Sequence, residues 1–233
     1  MLTLRKAADR GLTDIGWLKS LHTFSFGEYF DKTQMGFGDL RVINEDRIQG
    51  GTGFPTHAHR DMEIISYVLS GALDHKDSMG TASTILPGEV QRMSAGTGVR
   101  HSEHNHLKDR ETHFLQIWIM PEADGLKPGY AQKDFSKELA AGKLFLAASR
   151  NGRDGSVALN QDADLYLARL GAGEKLSLPM HWDRKGWLQL LEGELTVNGQ
   201  RLSAGDGLAI SEEGEVKVVV EKDSHFLYFN LPG

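Results

Sequence analysis

The 233-residue sequence has no cysteine. That excludes disulfides, cysteine-type zinc fingers, iron–sulfur clusters and thiol nucleophiles, so any metal must be held by histidine and carboxylate. It has no apolar run of the 18 or more residues that a membrane helix needs. The N-terminus turns charged at Arg5, with Asp9 and Arg10 close behind, and shows no apolar stretch of signal-peptide length. A cytoplasmic location with no membrane partner is the expectation. There is no long basic run either, and 32 acidic against 26 basic side chains leave a formal charge of −6. This balance argues against direct binding of nucleic acid.

Glycine, by contrast, is abundant. Its 27 copies make up about 12% of the chain, against an average near 7%, which calls for many turns. Apolar runs of strand length recur between those turns: Leu40–Ile43, Ile64–Leu69, Phe114–Met120, Leu144–Ala148, Leu165–Leu170, Trp187–Leu191, Leu195–Val197, Gly207–Ile210, Val216–Val220 and Phe226–Phe229. Ser70-Gly71, Pro87-Gly88, Asn198-Gly199 and Gly205-Asp206 separate several of them. Asn-Gly and Gly-Asp pairs supply the positive φ of tight hairpins. One short helical stretch is predicted, over Phe135–Ala141. The pattern predicts an all-β sandwich or barrel.

The segment from Pro121 to Gly129 is rich in Pro, Gly and charge. It predicts a first domain over residues 1–125, a linker over 126–134 and a second domain over 135–233. Ile64–Gly71 followed by Leu86–Glu89 is echoed by Trp187–Gly193 followed by Leu202–Asp206. Each reads as a buried strand, a glycine turn, a return strand and a second glycine turn beside an acidic residue, so the halves look like divergent copies of one barrel.

Seven of the ten histidines fall between residues 57 and 113. Successive side chains of a strand alternate faces, so His57 and His59 project to one side, as do His101 and Glu103. Two such pairs facing each other would make a site of three imidazoles and one carboxylate. That set suits Fe, Mn, Ni, Cu, Co or Zn. It leaves coordination positions for a substrate and can lower the pKa of a bound hydroxyl. The same alternation puts Phe114, Gln116 and Trp118 on one face, as pocket wall or core. His75, in the polar stretch Asp74-His-Lys-Asp77, is expected to be exposed, and His104 has the wrong parity for the site. In the second half only His181 remains near the equivalent of the first motif, so a single metal per chain is expected, in domain 1.

These residues carry a resemblance. Gly51-x5-His57-x-His59-x3-Glu63-x7-Gly71 resembles the first motif of the cupin superfamily, and Gly88 through His101-x3-Asn105 resembles the second. In the latter the Gly-to-His spacing is longer than usual, and Ser94 stands where the motif usually has Pro. More closely, the first 120 residues are similar to pirin-like proteins. The segments that carry this are His22-Thr-Phe-Ser-Phe26, Met35 through Asn44, His57 through Glu63, Met93 through Gly98, His101-Ser-Glu103 and Gln116-Ile-Trp118.

The resemblance implies a bicupin: two tandem β-barrels of double-stranded β-helix, jelly-roll-like type, the second degenerate and without metal. It implies His57, His59, His101 and Glu103 as ligands of one divalent ion, with iron the first expectation. In many other cupins the ligating Glu comes from the first motif, which here is Glu63; the pirin-like pattern leaves Glu63 a supporting or structural part. The activity implied is that of a quercetin 2,3-dioxygenase, an oxidoreductase that cleaves a flavonol with O2 to a depside and carbon monoxide, with Glu103 as the general base. The alternative is a metal- and redox-sensing regulator that binds a transcription factor or enzyme partner. A monomer is expected.

Overall fold

A computed structural model describes residues 1–233 and divides them into two compact units. Both are built almost wholly of antiparallel strands, with one short α-helix, Ser136–Ala140. No helix is long and apolar enough to cross a membrane.

The N-terminal unit comprises Gly11–Ser136 and Val157–Gln161. Its larger sheet runs in the order Gly129–Asp134, Glu89–Ser94, Glu63–Ser70, Thr112–Ile119, Leu40–Ile48, Leu18–His22, Gly11–Asp14. The smaller has four strands in the order Gly53–His59, Val99–Asn105, Leu73–Asp77, Ala82–Ile85. This is the two-sheet roll of a cupin barrel. Leu73 and Ile85 of the small sheet meet Leu18, Ile48, Val68 and Phe114 of the large one in a shared apolar cluster. Full burial of such side chains contributes about 1.5–3 kcal/mol each. Ile64, Met93 and Val99 form a second apolar cluster, and the candidate site lies among the buried polar side chains.

The C-terminal unit comprises Met1–Arg10, Lys137–Ser156 and Asp162–Gly233. Its sheet runs in the order Leu2–Arg5, Gly207–Ser211, Arg184–Val197, Val216–Pro232, Asp164–Leu170, Phe145–Ser149. Lys175–Leu178 pairs with Val216–Pro232, and Gln200–Ser203 with Arg184–Val197. Leu188, Leu190, Leu208, Ile210, Phe226 and Tyr228 belong to its core.

Several boundaries differ from the sequence expectation. Residues 1–10 belong to the C-terminal unit, because Leu2–Arg5 pairs with Gly207–Ser211. The expected linker is partly a strand, since Gly129–Asp134 pairs with Glu89–Ser94. Residues 157–161 belong to the N-terminal unit. The runs around Gly193 are not a hairpin. Arg184–Val197 is one strand whose register shifts at Leu190/Glu192, Glu192/Glu194 and Glu194/Leu195. Gly193, at φ 88, sits in this bulged stretch, and a Cβ there would come within 2.2 Å of the Asp223 carbonyl oxygen. The positive φ expected of a turn is therefore spent on a β-bulge. Asn198-Gly199 does close a two-residue hairpin, with φ of 44 and 85.

Candidate metal centre

His57 and His59 lie on the edge strand of the four-stranded sheet, next to Val99–Asn105. Pro55 is tolerated there because an edge strand leaves some amide positions unpaired. His101 stands directly opposite His57, and Glu103 opposite Phe54. The register shift between them sets Ser102 against Pro55 and Thr56 together. That bulge reverses the parity of the strand, so Phe54 and His57 both share the face of His101 and Glu103. Gly53 allows the close approach: a Cβ on it would lie 2.3 Å from the Glu103 carbonyl oxygen.

The ring nitrogens of His57, His59 and His101 lie within 4.8 Å of one another. The rings stand at 81°, 55° and 68° to each other, with centroids 4.4 to 4.8 Å apart. His57 Nδ1 donates to the Pro55 carbonyl at 2.9 Å. A carbonyl only accepts, so His57 Nδ1 carries a hydrogen, and its Nε2 lies 3.0 Å from Nε2 of His101. Burial, and then the neighbouring imidazoles, push the pKa of His59 down to about 4 and that of His101 down to about 3. Both rings are neutral at neutral pH, the form that binds a metal. Three imidazoles converging from two adjacent strands fit a transition metal ion.

Glu103 is buried behind them. It accepts from Gln116 Nε2 at 2.9 and 2.8 Å and from the Ser66 hydroxyl at 3.1 Å. A second donor group, also within 4.8 Å, joins Glu103 to His101 and His75. The two groups share His101, and Glu103 groups with His75 and His101 rather than with the three-imidazole set.

A cavity of about 520 Å³ opens on these side chains, a size typical of small-molecule sites. His57, His59, Glu103, Gln116 and Trp118 line it, as do Phe26 and Phe54. Trp118 stands edge-on to His59 at 5.0 Å, and Phe26 edge-on to Trp118 at 5.3 Å. The wall opposite is polar: Ser20, His22, Asn44 and Asp46. His22 bonds Asn44 Oδ1 at 2.7 Å and the Thr13 hydroxyl at 2.8 Å. Asp46 Oδ1 and Trp118 Nε1 are buried without a hydrogen-bond partner.

The other expected residues fall elsewhere. Phe114 shares the face of Gln116 and Trp118 but packs in the apolar cluster, away from the cavity lining. Glu63 accepts from the Ser94 hydroxyl at 3.0 Å and from Asn160, at 3.2 Å from the backbone N–H and 3.1 Å from Nδ2. Its carboxylate ties residues 157–161 to the barrel and belongs to neither donor group. His75, expected at the surface, is instead buried, bonded to Asp77 and next to His101. Its alternation with Leu73 and Asp77 on the strand Leu73–Asp77 is the available signal, and the polar residues at two of those three inward positions hide it. In the C-terminal unit His181 is exposed and bonds Asp183, and His225 is buried beside Arg169.

Comparison with known proteins places these features in a family. Residues 4–119 match the family model described as Pirin, and residues 146–231 match the one described as quercetinase C-terminal cupin domain. The chain is 47% identical over 232 residues to a quercetin 2,3-dioxygenase of Escherichia coli (strain K12), spanning 100% of this chain and 99% of that protein. It is 41% identical over 225 residues to a pirin-like protein of Caulobacter vibrioides, spanning 96% and 97% of the two chains. Among solved structures it is similar to the bacterial pirin YhhW of Escherichia coli in complex with nickel(II). The TM-score is 0.96 at 45% identity, and the match covers 100% of this chain and 99% of that one.

Proposed function

The chain belongs to the pirin family of two-domain cupins, and from this we infer that it is a metal-dependent dioxygenase that opens the heterocycle of a quercetin-type flavonol. His57, His59 and His101 would hold the ion, with Glu103 as the associated carboxylate. When bound, such an ion supplies a Lewis acid that makes a coordinated hydroxyl more acidic and a centre at which an electron-rich enolate meets dioxygen.

The chain's own residues supply the rest. The cavity admits a flat aromatic ligand between Phe26, Phe54 and Trp118. Glu103 takes the proton of the flavonol 3-hydroxyl as general base. Gln116 and Ser66 hold its carboxylate in place from behind. Dioxygen is the oxidant: its two atoms bond to C2 and C4, the O–O, C2–C3 and C3–C4 bonds break, and C3 leaves as carbon monoxide with its own oxygen. Both oxygen atoms stay in the depside, and Glu103 returns the proton to it.

The observation that carries this reading is the cluster of three imidazoles, two of which line one cavity of small-molecule size together with Glu103. The test is to load the purified chain with nickel, iron, manganese, copper or cobalt in turn and add quercetin in air. Loss of the flavonol absorbance with release of carbon monoxide is expected with at least one metal. No turnover with any of them overturns the reading.

A further inference from the structure

His75 and Asp77 are used by nothing so far. They lie on Leu73–Asp77, which pairs with Val99–Asn105 so that Asp77 stands opposite His101 and His75 opposite Glu103. Directly paired residues share a face, so all four point into the barrel. The side chains of His75 and Asp77 are both fully shielded from solvent.

Their hydrogen bonds form a directed chain. Asp77 Oδ1 accepts the backbone N–H groups of Met79 at 2.9 Å and Thr81 at 3.0 Å, which fixes the carboxylate. Asp77 Oδ2 lies 2.9 Å from His75 Nε2. An ionised carboxylate only accepts, so Nε2 of His75 carries the hydrogen. Its other nitrogen, Nδ1, lies 3.4 Å from Nδ1 of His101. The ring of Tyr130, 4.9 Å away at 37°, packs against His75 and restrains its rotation.

We propose that Asp77 and His75 are positioning residues that set the tautomer of His101. With an ion at its Nε2, His101 would donate its Nδ1–H to Nδ1 of His75, whose own hydrogen lies toward Asp77. The nitrogen of a histidine that is free to bind a metal is decided by the hydrogen bond its other nitrogen makes. His57 has its own device, the Pro55 carbonyl, on Nδ1. The Nε2 atoms of His57 and His101 are hydrogen-bonded to each other at 3.0 Å, and an ion held by both would take the place of that hydrogen. The inference rests on the metal-binding reading above, and it extends that reading to residues outside the ligand set.

Asp77→Asn tests it. The Asn carbonyl keeps Met79 and Thr81, so its NH2 must face His75 Nε2. His75 then moves its hydrogen to Nδ1, and His101 is forced to carry its own on Nε2. Nickel binding, measured by calorimetry, is expected to weaken about 10- to 100-fold. His75→Phe, which keeps the bulk and removes the acceptor, is expected to weaken it similarly. His75→Asn, which restores an acceptor near the Nδ1 position, is expected to recover part of the loss.

Nitrogen-15 NMR of the protein loaded with diamagnetic zinc reads the tautomers directly and needs no activity. Nδ1–H on His101 is expected in the wild type and Nε2–H in Asp77→Asn. Nε2–H on His101 in the wild type, or a His75 protonated on both nitrogens, overturns the proposal. So does wild-type nickel affinity in Asp77→Asn. Two nickel ions per chain, one lost with His75, overturn it too by making His75 a ligand. A wild type with the expected tautomers and nickel binding that leaves quercetin intact supports the relay and refutes the dioxygenase reading.

Discussion

Gln116 donates from one amide nitrogen to both carboxylate oxygens of Glu103, at 2.9 and 2.8 Å. The same residue's Oε1 lies 3.1 Å from the Ser66 hydroxyl, which also reaches Glu103. The carboxylate is thereby held at the buried end of the cavity with its charge offset by two donors. Gln116→Leu keeps the apolar bulk and removes the amide. It is expected to lower turnover about 10- to 100-fold and to cost about 1–3 kcal/mol of stability through the unpaired carboxylate. Steady-state quercetin kinetics and urea unfolding measure the two effects. A kcat equal to that of the wild type would remove Gln116 from the site.

Asp46 gives the stability a pH dependence of known sign. Its carboxyl is raised from 3.8 to about 7, first by burial, against the Ser20 hydrogen bond, and then by the charges of Glu103 and Glu45. Below the unfolded value the group is protonated in both states and costs nothing. As pH rises toward the folded value, the unfolded state gives up its proton more readily and stability falls. Asp46→Asn removes this term. The variant and the wild type are expected to differ little at pH 4, and the variant is expected to gain on the wild type up to pH 8. The ceiling of the gain is about 4 kcal/mol. Urea midpoints of the metal-free proteins across that range test it, and a constant difference would show that Asp46 is ionised throughout.

Much of the centre was legible because strand alternation is a local rule. His57 with His59, and His101 with Glu103, share faces by parity alone. What escaped depends on pairing across the fold. The bulge at Pro55 and Thr56 brings Phe54 to the face of His57, which strict alternation forbids. His75 and Asp77 are buried polar residues that satisfy each other, so only Leu73 is apolar on the buried face of their strand. Residues 1–10 joined the wrong half in the sequence reading because their partner strand lies some two hundred residues away, at Gly207–Ser211. Of the two long strands of the C-terminal unit, Arg184–Val197 reads as two because a glycine in a bulge and a glycine in a hairpin have the same local signature, and Val216–Pro232 reads as two because the charged run Glu221–Asp223 interrupts its apolar pattern.

Glu63 separates a structural carboxylate from a ligand. Its bonds go to Ser94 and Asn160, and it belongs to neither donor group. Glu63→Gln is expected to destabilise the protein by about 1–3 kcal/mol, because the buried donors lose a charged acceptor. The metal content of the purified variant is expected to equal that of the wild type. Thermal unfolding and elemental analysis on the same sample decide the matter. Retained stability with lost metal would return Glu63 to the ligand set.

Metal binding can be read without any substrate. A ligand that binds only the folded state stabilises it by about 2.7 kcal/mol at one hundred times its Kd. His59 is the most direct probe, because its ring faces the cavity and its neighbours are His57, His101 and Trp118. The only one of these contacts that serves the fold rather than the ion is the edge-on packing against Trp118. Nickel is therefore expected to raise the unfolding temperature of the wild type in a concentration-dependent way. His59→Ala, compared with its own metal-free form, is expected to lose most of that rise while changing little without metal. A rise of equal size in both proteins would mean that the ion sits elsewhere, and the second donor group, His75 with His101 and Glu103, would be the place to look.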